Sequence, residues 1–171
     1  MSKVNSRPSA WRFILIFLPA AIIFAADHFT KVWIRTHLAV GETLFGWGIF
    51  SINRVPPNPG AAFGLFPSGT IVLIFVSIIF VILVLLYAFV YYRRLPFLDS
   101  RWNNLAFGLI LGGTLGNLVE RVNASLGGVT DFINIGWWPA FNVADSAVSV
   151  GAVLLVISLL LSLRGGQPAS A

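Results

Sequence analysis

Four stretches of this chain run without a charged residue for about the length a helix needs to cross a bilayer, and no other feature constrains its fold so strongly. Spanning about 30 Å of hydrocarbon takes roughly 20 helical residues at about 1.5 Å rise each. Thr70 to Tyr92 is free of charge, as are Trp102 to Val119, between Arg101 and Glu120, and Ser146 to Leu163, between Asp145 and Arg164. The first stretch, between Arg12 and Asp27, is shorter and borrows a turn at either end. Spans are therefore expected at about 12–30, 70–92, 102–120 and 142–163.

A soluble domain cannot absorb these runs. With 57% hydrophobic and 10% charged residues, and a mean hydropathy of +0.88, too few polar residues remain to cover a water-facing surface. The first run follows Lys3, Arg7 and Arg12 and precedes Ala25 and Ala26, as in a secretory signal, but Phe24 stands where cleavage after Ala26 wants a small residue. Three further spans would also still need a first one. The absence of cysteine excludes disulfides, thiolate metal sites and cysteine nucleophiles. The net charge of +5 could point to nucleic acid, but the basic residues sit in short clusters at the ends of apolar runs, as membrane topology signals do.

Those clusters orient the chain. Lys3, Arg7, Arg12, Arg93, Arg94, Arg101 and Arg164 lie on one side of the expected spans, and Lys31, Arg35, Arg54 and Arg121 on the other. Seven against four places both termini in the cytoplasm. Asp27, Glu42, Glu120, Asp131 and Asp145 then gather outside, with Asp99 alone inside. The outer segment of about 35–69 mixes Gly and Pro with short β-favouring runs and is expected to form a small β-rich extracytoplasmic subdomain. Phe45, Trp47, Phe50, Phe63, Phe66, Trp137 and Trp138 fall at this outer boundary, where amphipathic rings prefer to sit. The tail, 165–171, is expected to be disordered.

Acids just inside a span usually have a partner or a function, because a carboxylate at the bilayer centre costs roughly 2.5–3.5 kcal/mol on insertion scales. Gly127-Gly-Val-Thr-Asp131-Phe132 and Phe141-Asn142-Val-Ala144-Asp145 flank an aromatic connector that can fold back and bring the two aspartates together. Two carboxyls at hydrogen-bond distance cannot both ionise, so one keeps a proton while the other deprotonates water, as in aspartyl proteases. Simpler roles stand beside this one. Asn142 and Asp145 have the spacing of a capping box, and Asp131 suits a turn.

The remaining constellations have structural readings as well. Asn117 and Arg121, and Asp27 and Lys31, are i,i+4 pairs. Gly108, Gly112 and Gly116 recur every four residues, as in a helix-packing seam that Glu120 continues. Pro56-Pro57-Asn58-Pro59-Gly60 forces an irregular turn in which Asn58 can satisfy backbone groups. His28 and His37 are the only histidines and there is no H-E-x-x-H, which points away from a zinc hydrolase. A Ser-Lys protease would need Lys31, and no Gly-x-Ser-x-Gly occurs.

Five blocks, taken in order, resemble the bacterial lipoprotein signal peptidases: Asp27-His-Phe-Thr30-Lys31, Asn58-Pro-Gly60-Ala61-Ala62-Phe63-Gly64, Gly112-Gly-Thr-Leu-Gly116-Asn117-Leu-Val-Glu120-Arg121, Val129-Thr-Asp131-Phe132 and Phe141-Asn142-Val-Ala144-Asp145. The resemblance covers roughly residues 12–163. It implies an all-α membrane protein with four transmembrane helices and a β-cradle between the first two, acting as an aspartyl endopeptidase of the bacterial inner membrane. The implied reaction removes the signal peptide of a prolipoprotein just before its lipidated cysteine, without metal or organic cofactor. Asp131 and Asp145 match the catalytic pair. Asn58, Asn117, Arg121, Asn142, Asp27, Lys31, Gly113, Glu120 and Ala144 match positions that support the pair, the substrate or the site's architecture. Implied partners are lipidated precursors and membrane phospholipid, with no nucleic acid, and the chain is expected to be a monomer. Glu120 stands where the family usually has Asp, which bears on the geometry around Arg121. His28 stands where Gln is common.

Overall fold

The computed structural model describes residues 10–60 and 69–165. Ala61 to Gly64 of the second block, with Phe63, Phe66, Lys3, Arg7 and the tail beyond Gly165, lie outside the described residues. Four long helices form the body: α1 (Ala10–His37), α2 (Gly69–Leu86), α3 (Arg101–Val122) and α4 (Val143–Gly165). All four are long and apolar enough to cross a membrane, α2 with the help of a π-helical continuation at Tyr87–Tyr91.

The central helix is α3, the most buried of the four. The reason is its glycines. A Cβ on Gly108 would lie 2.6 Å from the Ile16 carbonyl oxygen, and one on Gly112 would lie 2.5 Å from that of Ala20, so α1 packs directly on the glycine backbone. Gly116 continues this face beneath Asp27, and Gly113, one step around, receives the Ala144 carbonyl of α4. The four-residue repeat is thus a packing seam between α3 and α1, as helix association in lipid favours small residues. Gly112→Leu is expected to force the two helices apart and cost about 3 kcal/mol or more, seen as a large drop in thermal unfolding temperature in detergent. An unchanged transition would show that the seam tolerates separation.

Helix α1 runs well past the expected end near residue 30, to His37. Its last turns carry Asp27, Lys31 and Arg35, charges that on sequence grounds mark the exit from the bilayer. Asp27 and Lys31 are instead buried against α3 and α4, their charges answered inside the bundle. Arg54 then closes the helix, its Nη1 donating to the carbonyls of Arg35 at 3.0 Å and Leu38 at 2.8 Å.

A four-stranded antiparallel sheet caps this end of the bundle, in the order β1 (Thr43–Trp47), β2 (Phe50–Asn53), β3 (Ile133–Ile135), β4 (Trp138–Phe141). The sheet therefore differs from the expected insertion. Half of its strands come from the connector between α3 and α4, with Ser51 opposite Asn134 at the junction. The turns at Gly48 and Gly136 have φ of +58° and +53°, a left-handed conformation that glycine adopts at little cost. Joining β3 to β2 ties the Asp131 segment to the α1–α2 connection.

The opposite end is closed by a second polar cluster. Arg12 is 2% exposed, with its guanidinium 3.5 Å from the Tyr92 ring centroid and 3.6 Å from Asp99. Asn104 donates to Asp99 at 3.1 Å and accepts from the Tyr87 hydroxyl at 3.1 Å. Arg12, which the sequence places among the charges flanking the first span, is thus an interior residue.

Candidate active site

Three segments converge on Asn117, Glu120 and Arg121 of α3 beneath the sheet. The first is the last part of α1, which presents Asp27, Lys31 and Arg35 on one face at i,i+4 intervals. Lys31 Nζ lies 2.7 Å from Asp27 Oδ2, donates to Asn117 Oδ1 at 2.8 Å and sits 3.7 Å from Glu120 Oε2. Asp27 Oδ1 accepts from the backbone N–H of Ala144 at 2.9 Å, so a carboxylate of α1 caps the first turn of α4, where the helix dipole favours negative charge. Ala144 is fully buried over Gly113 and Gly116, leaving no room for a larger side chain between the helices.

The second segment is the start of α4. Asp145 N–H donates to Asn142 Oδ1 at 2.9 Å, and Asn142 N–H donates to Asp145 Oδ2 at 3.2 Å. This is the reciprocal cap that the spacing predicts. The capping role and a chemical role coexist, because the cap fixes the Asp145 rotamer, and its Oδ1 takes a further bond from Asn117 Nδ2 at 2.8 Å.

The third segment carries Asp131. Asn58 and Val129 exchange backbone bonds of 2.8 and 2.9 Å. A Cβ on Gly128 would lie 2.6 Å from the Asn58 carbonyl oxygen, so the approach needs glycine there. The bridge aims Asn58 Nδ2 at Asp131 Oδ2, 3.1 Å away. Asp131 Oδ1 accepts from Asn142 Nδ2 at 2.7 Å. Asn142, fully buried, therefore touches both aspartates: its side-chain amide holds Asp131 and its backbone N–H holds Asp145.

The two carboxylates open onto one cavity of about 260 Å³, shared with Asn58, Leu73, Arg121 and Phe141. Asp131 is 3% exposed, and burial first, then the charge of Asp145, pushes its carboxyl up to about 6, against opposing bonds from Asn58 and Asn142. Arg121 makes no hydrogen bond among the described residues, and its charge interacts with Asp145, Asp131 and Glu120. The pairing of Asn117 with Arg121 that their spacing allows is thus not formed, since Asn117 turns to Lys31, Asp145 and Asn142. The Asp27–Lys31 pairing is formed.

Glu120 is buried and engages neither Arg121 nor the cavity by hydrogen bond. Its Oε2 accepts from Thr130 N–H at 2.7 Å, and its Oε1 meets Arg35 Nη1. Thr130, in the Val129-Thr-Asp131-Phe132 block, belongs to the network, and so does Arg35, which no sequence motif singles out. The available signal is the continuation of the Asp27–Lys31 stripe by one further turn. No group of three or more His, Cys, Asp or Glu among the described residues is arranged to hold a metal ion.

Residues 19–161 match the family model described as signal peptidase (SPase) II. Similar curated proteins are lipoprotein signal peptidases: one from Dehalococcoides mccartyi, 43% identical and covering 93% of this chain and 97% of its own, and one from Moorella thermoacetica, 39% identical and covering 84% and 91%. Two solved structures, each described as a bacterial membrane enzyme, superpose with TM-scores of 0.76 and 0.70 at 26% and 28% identity. They cover 90% and 84% of this chain, and 92% and 90% of their own. With the match running through all four helices and both aspartate segments, this chain belongs to the signal peptidase II family, the lipoprotein signal peptidases.

Proposed function

We propose that the chain is an intramembrane aspartyl endopeptidase that cleaves the signal peptide from diacylglyceryl-modified prolipoproteins on the N-terminal side of the lipidated cysteine, with Asp131 and Asp145 as the catalytic pair. The observation that carries this reading is the single cavity onto which both aspartates open, with Asn142 bonded to each. The charge count supports it. Four carboxylates (Asp27, Glu120, Asp131, Asp145) meet three cations (Lys31, Arg35, Arg121) in the network. One proton on the pair brings the cluster to neutrality, which a low-dielectric site favours.

In the reaction, the ionised aspartate takes a proton from water as the water oxygen attacks the scissile carbonyl carbon, and the protonated partner donates to the carbonyl oxygen. Collapse of the tetrahedral intermediate breaks the C–N bond, and a proton passes to the departing amine. The products are a free carboxyl on the signal peptide and a free amine on the lipidated cysteine. Asn58, Asn117 and Asn142 hold the carboxylates by neutral donors, leaving Arg121 as the cation facing the cavity. Gly113 and Ala144 keep α3 and α4 close enough for this.

The excess of Lys and Arg on the other side supports cytoplasmic termini and a site at the outer face of the inner membrane. There a precursor presents its cleavage point at the surface while its acyl chains stay in phospholipid. The chain acts as a single membrane domain and a monomer, needing only water and its own carboxylates. An ion relay is the competing reading, but such proteins place their ionisable groups near the midplane, and here they gather beneath the sheet at one end of the bundle. Incubation of the purified protein with a lipidated precursor and with its unlipidated counterpart tests the proposal. Two products are expected from the lipidated form alone; equal cleavage of both, or of neither, would overturn it.

A further inference from the structure

Arg35 belongs to none of the matched blocks, yet its guanidinium ends on the groups that hold the residue before Asp131. Its Nη1 meets Glu120 Oε1 and donates to Thr130 Oγ1 at 3.0 Å. Glu120 takes the Thr130 N–H on Oε2 and, at 3.2 Å, the Thr130 hydroxyl on Oε1. The Thr130 carbonyl accepts from Asn142 Nδ2 at 3.4 Å, the same amide group that donates to Asp131. Thr130 is thus fixed at its N–H, its hydroxyl and its carbonyl, one peptide away from a carboxylate whose placement decides the chemistry. Arg35 is itself anchored, because Arg54 holds its backbone carbonyl.

We propose that Arg35 is a positioning residue for the aspartate pair, acting through Glu120 and Thr130 to hold Asp131 in register with Asp145. The inference rests on the proteolytic reading above. It also gives Glu120 a role, since its one carboxylate serves both the guanidinium and the Thr130 peptide. Neither residue lines the cavity, so the effect falls on the placement and charge of the pair and not on substrate contact. The charged groups around this strut are Asp27 and Lys31 from α1, Arg54 on the Arg35 carbonyl, Arg121 from α3, and Asp131 with Asp145 beyond it.

The test compares Arg35→Gln, Glu120→Gln and the double variant, using the full-length protein in detergent or bilayer with a lipidated precursor peptide. Each single change is expected to lower kcat by about 10- to 100-fold, as small misplacements of reacting groups do, with KM within about twofold. The double variant should be no slower than the worse single, because both act along one path. The alkaline limb of kcat, where the pair gives up its shared proton, supplies a readout that a merely structural role would not move in this pattern. Loss of the Arg35 charge should shift it up, and loss of the Glu120 charge should shift it down, each by roughly half a unit. Glu120→Asp, which keeps the charge, should leave the limb in place.

Multiplying losses in the double variant, a change confined to KM, or limbs moving in the same direction would overturn the proposal. Should Arg35→Gln fail to fold, Arg35→Lys carries the test: the limb stays in place while kcat falls through loss of the Thr130 bond, and an unchanged kcat counts against the idea. Asp131→Asn and Asp145→Asn run alongside. If they cleave normally, the proteolytic reading fails; if they are dead while Arg35→Gln is fully active, only the positioning role fails.

Discussion

Asp131→Asn and Asp145→Asn are each expected to lower cleavage of a lipidated precursor by about 10³-fold or more, since in the proposed mechanism each removes the proton acceptor or the proton donor. The size of this loss separates a catalytic carboxylate from a capping one. The Asp145→Asn side chain can still accept the Asn142 N–H, so a purely capping role would spare both the cap and the rate. Asp131→Asn carries a second signature. The Asp131 carboxyl titrates at about 6 in the folded protein against an ordinary value of 3.8, because burial penalises its ionised form. A carboxyl raised on folding binds its proton more tightly in the native state, so its contribution is most favourable below about 3.8 and is lost as pH rises through about 6. At pH 7 the wild type carries that cost and the Asn variant does not. The stability gap between them should therefore move in favour of Asp131→Asn by on the order of 2 kcal/mol between pH 4 and pH 7. Thermal unfolding of both proteins across that range measures it. A gap independent of pH would mean that Asp131 is not held in an environment that disfavours its charge. An active, processing Asp145→Asn would remove the aspartyl mechanism.

The second large effect is structural. Lys31→Met is expected to cost about 3–5 kcal/mol, the range for breaking a buried ion pair by removing one partner. The ammonium faces Asp27, Asn117 and Glu120 at once, and all of them stay buried without it. In a chain of this size that is a fall in unfolding temperature of roughly 10 °C or more. Activity should fall with it, because Asn117 loses the partner that turns its amide toward Asp145. Asp27→Leu combined with Lys31→Met is expected to recover part of the stability and none of the activity. Removing both charges lifts the unpaired-charge penalty, but the Ala144 N–H loses its cap and Asn117 stays unanchored. A Lys31→Met protein as stable as the wild type would show that water reaches this cluster and screens it.

Much of this is legible along the chain. Uncharged runs locate the helices because a span must exclude charge from hydrocarbon. The glycine repeat on α3 reads as a seam and is one, because i,i+4 spacing puts small residues on one face whatever the partner. The Asn142–Asp145 cap is likewise local, formed within one turn of helix. The end of α1 lies seven residues beyond the expected one, at His37, for the same reason that the spans are found. A rule that ends a span at its first charges cannot know that those charges meet partners from another helix. Arg12 escapes the same logic, since only the folded chain brings Asp99 and Tyr92 to it.

By itself, then, the order of residues determined the number of helices, the face of α3 that packs and the residue types available for acid chemistry, because these depend on periodicity and on the cost of charge in lipid. Only the tertiary structure decided that strands from two distant connections make one sheet, that Asn142 joins Asp131 to Asp145, and that Arg35 and Thr130 belong to the site. Such contacts bridge segments far apart along the chain, and no local pattern specifies which donor will find which acceptor once the backbone has closed around them.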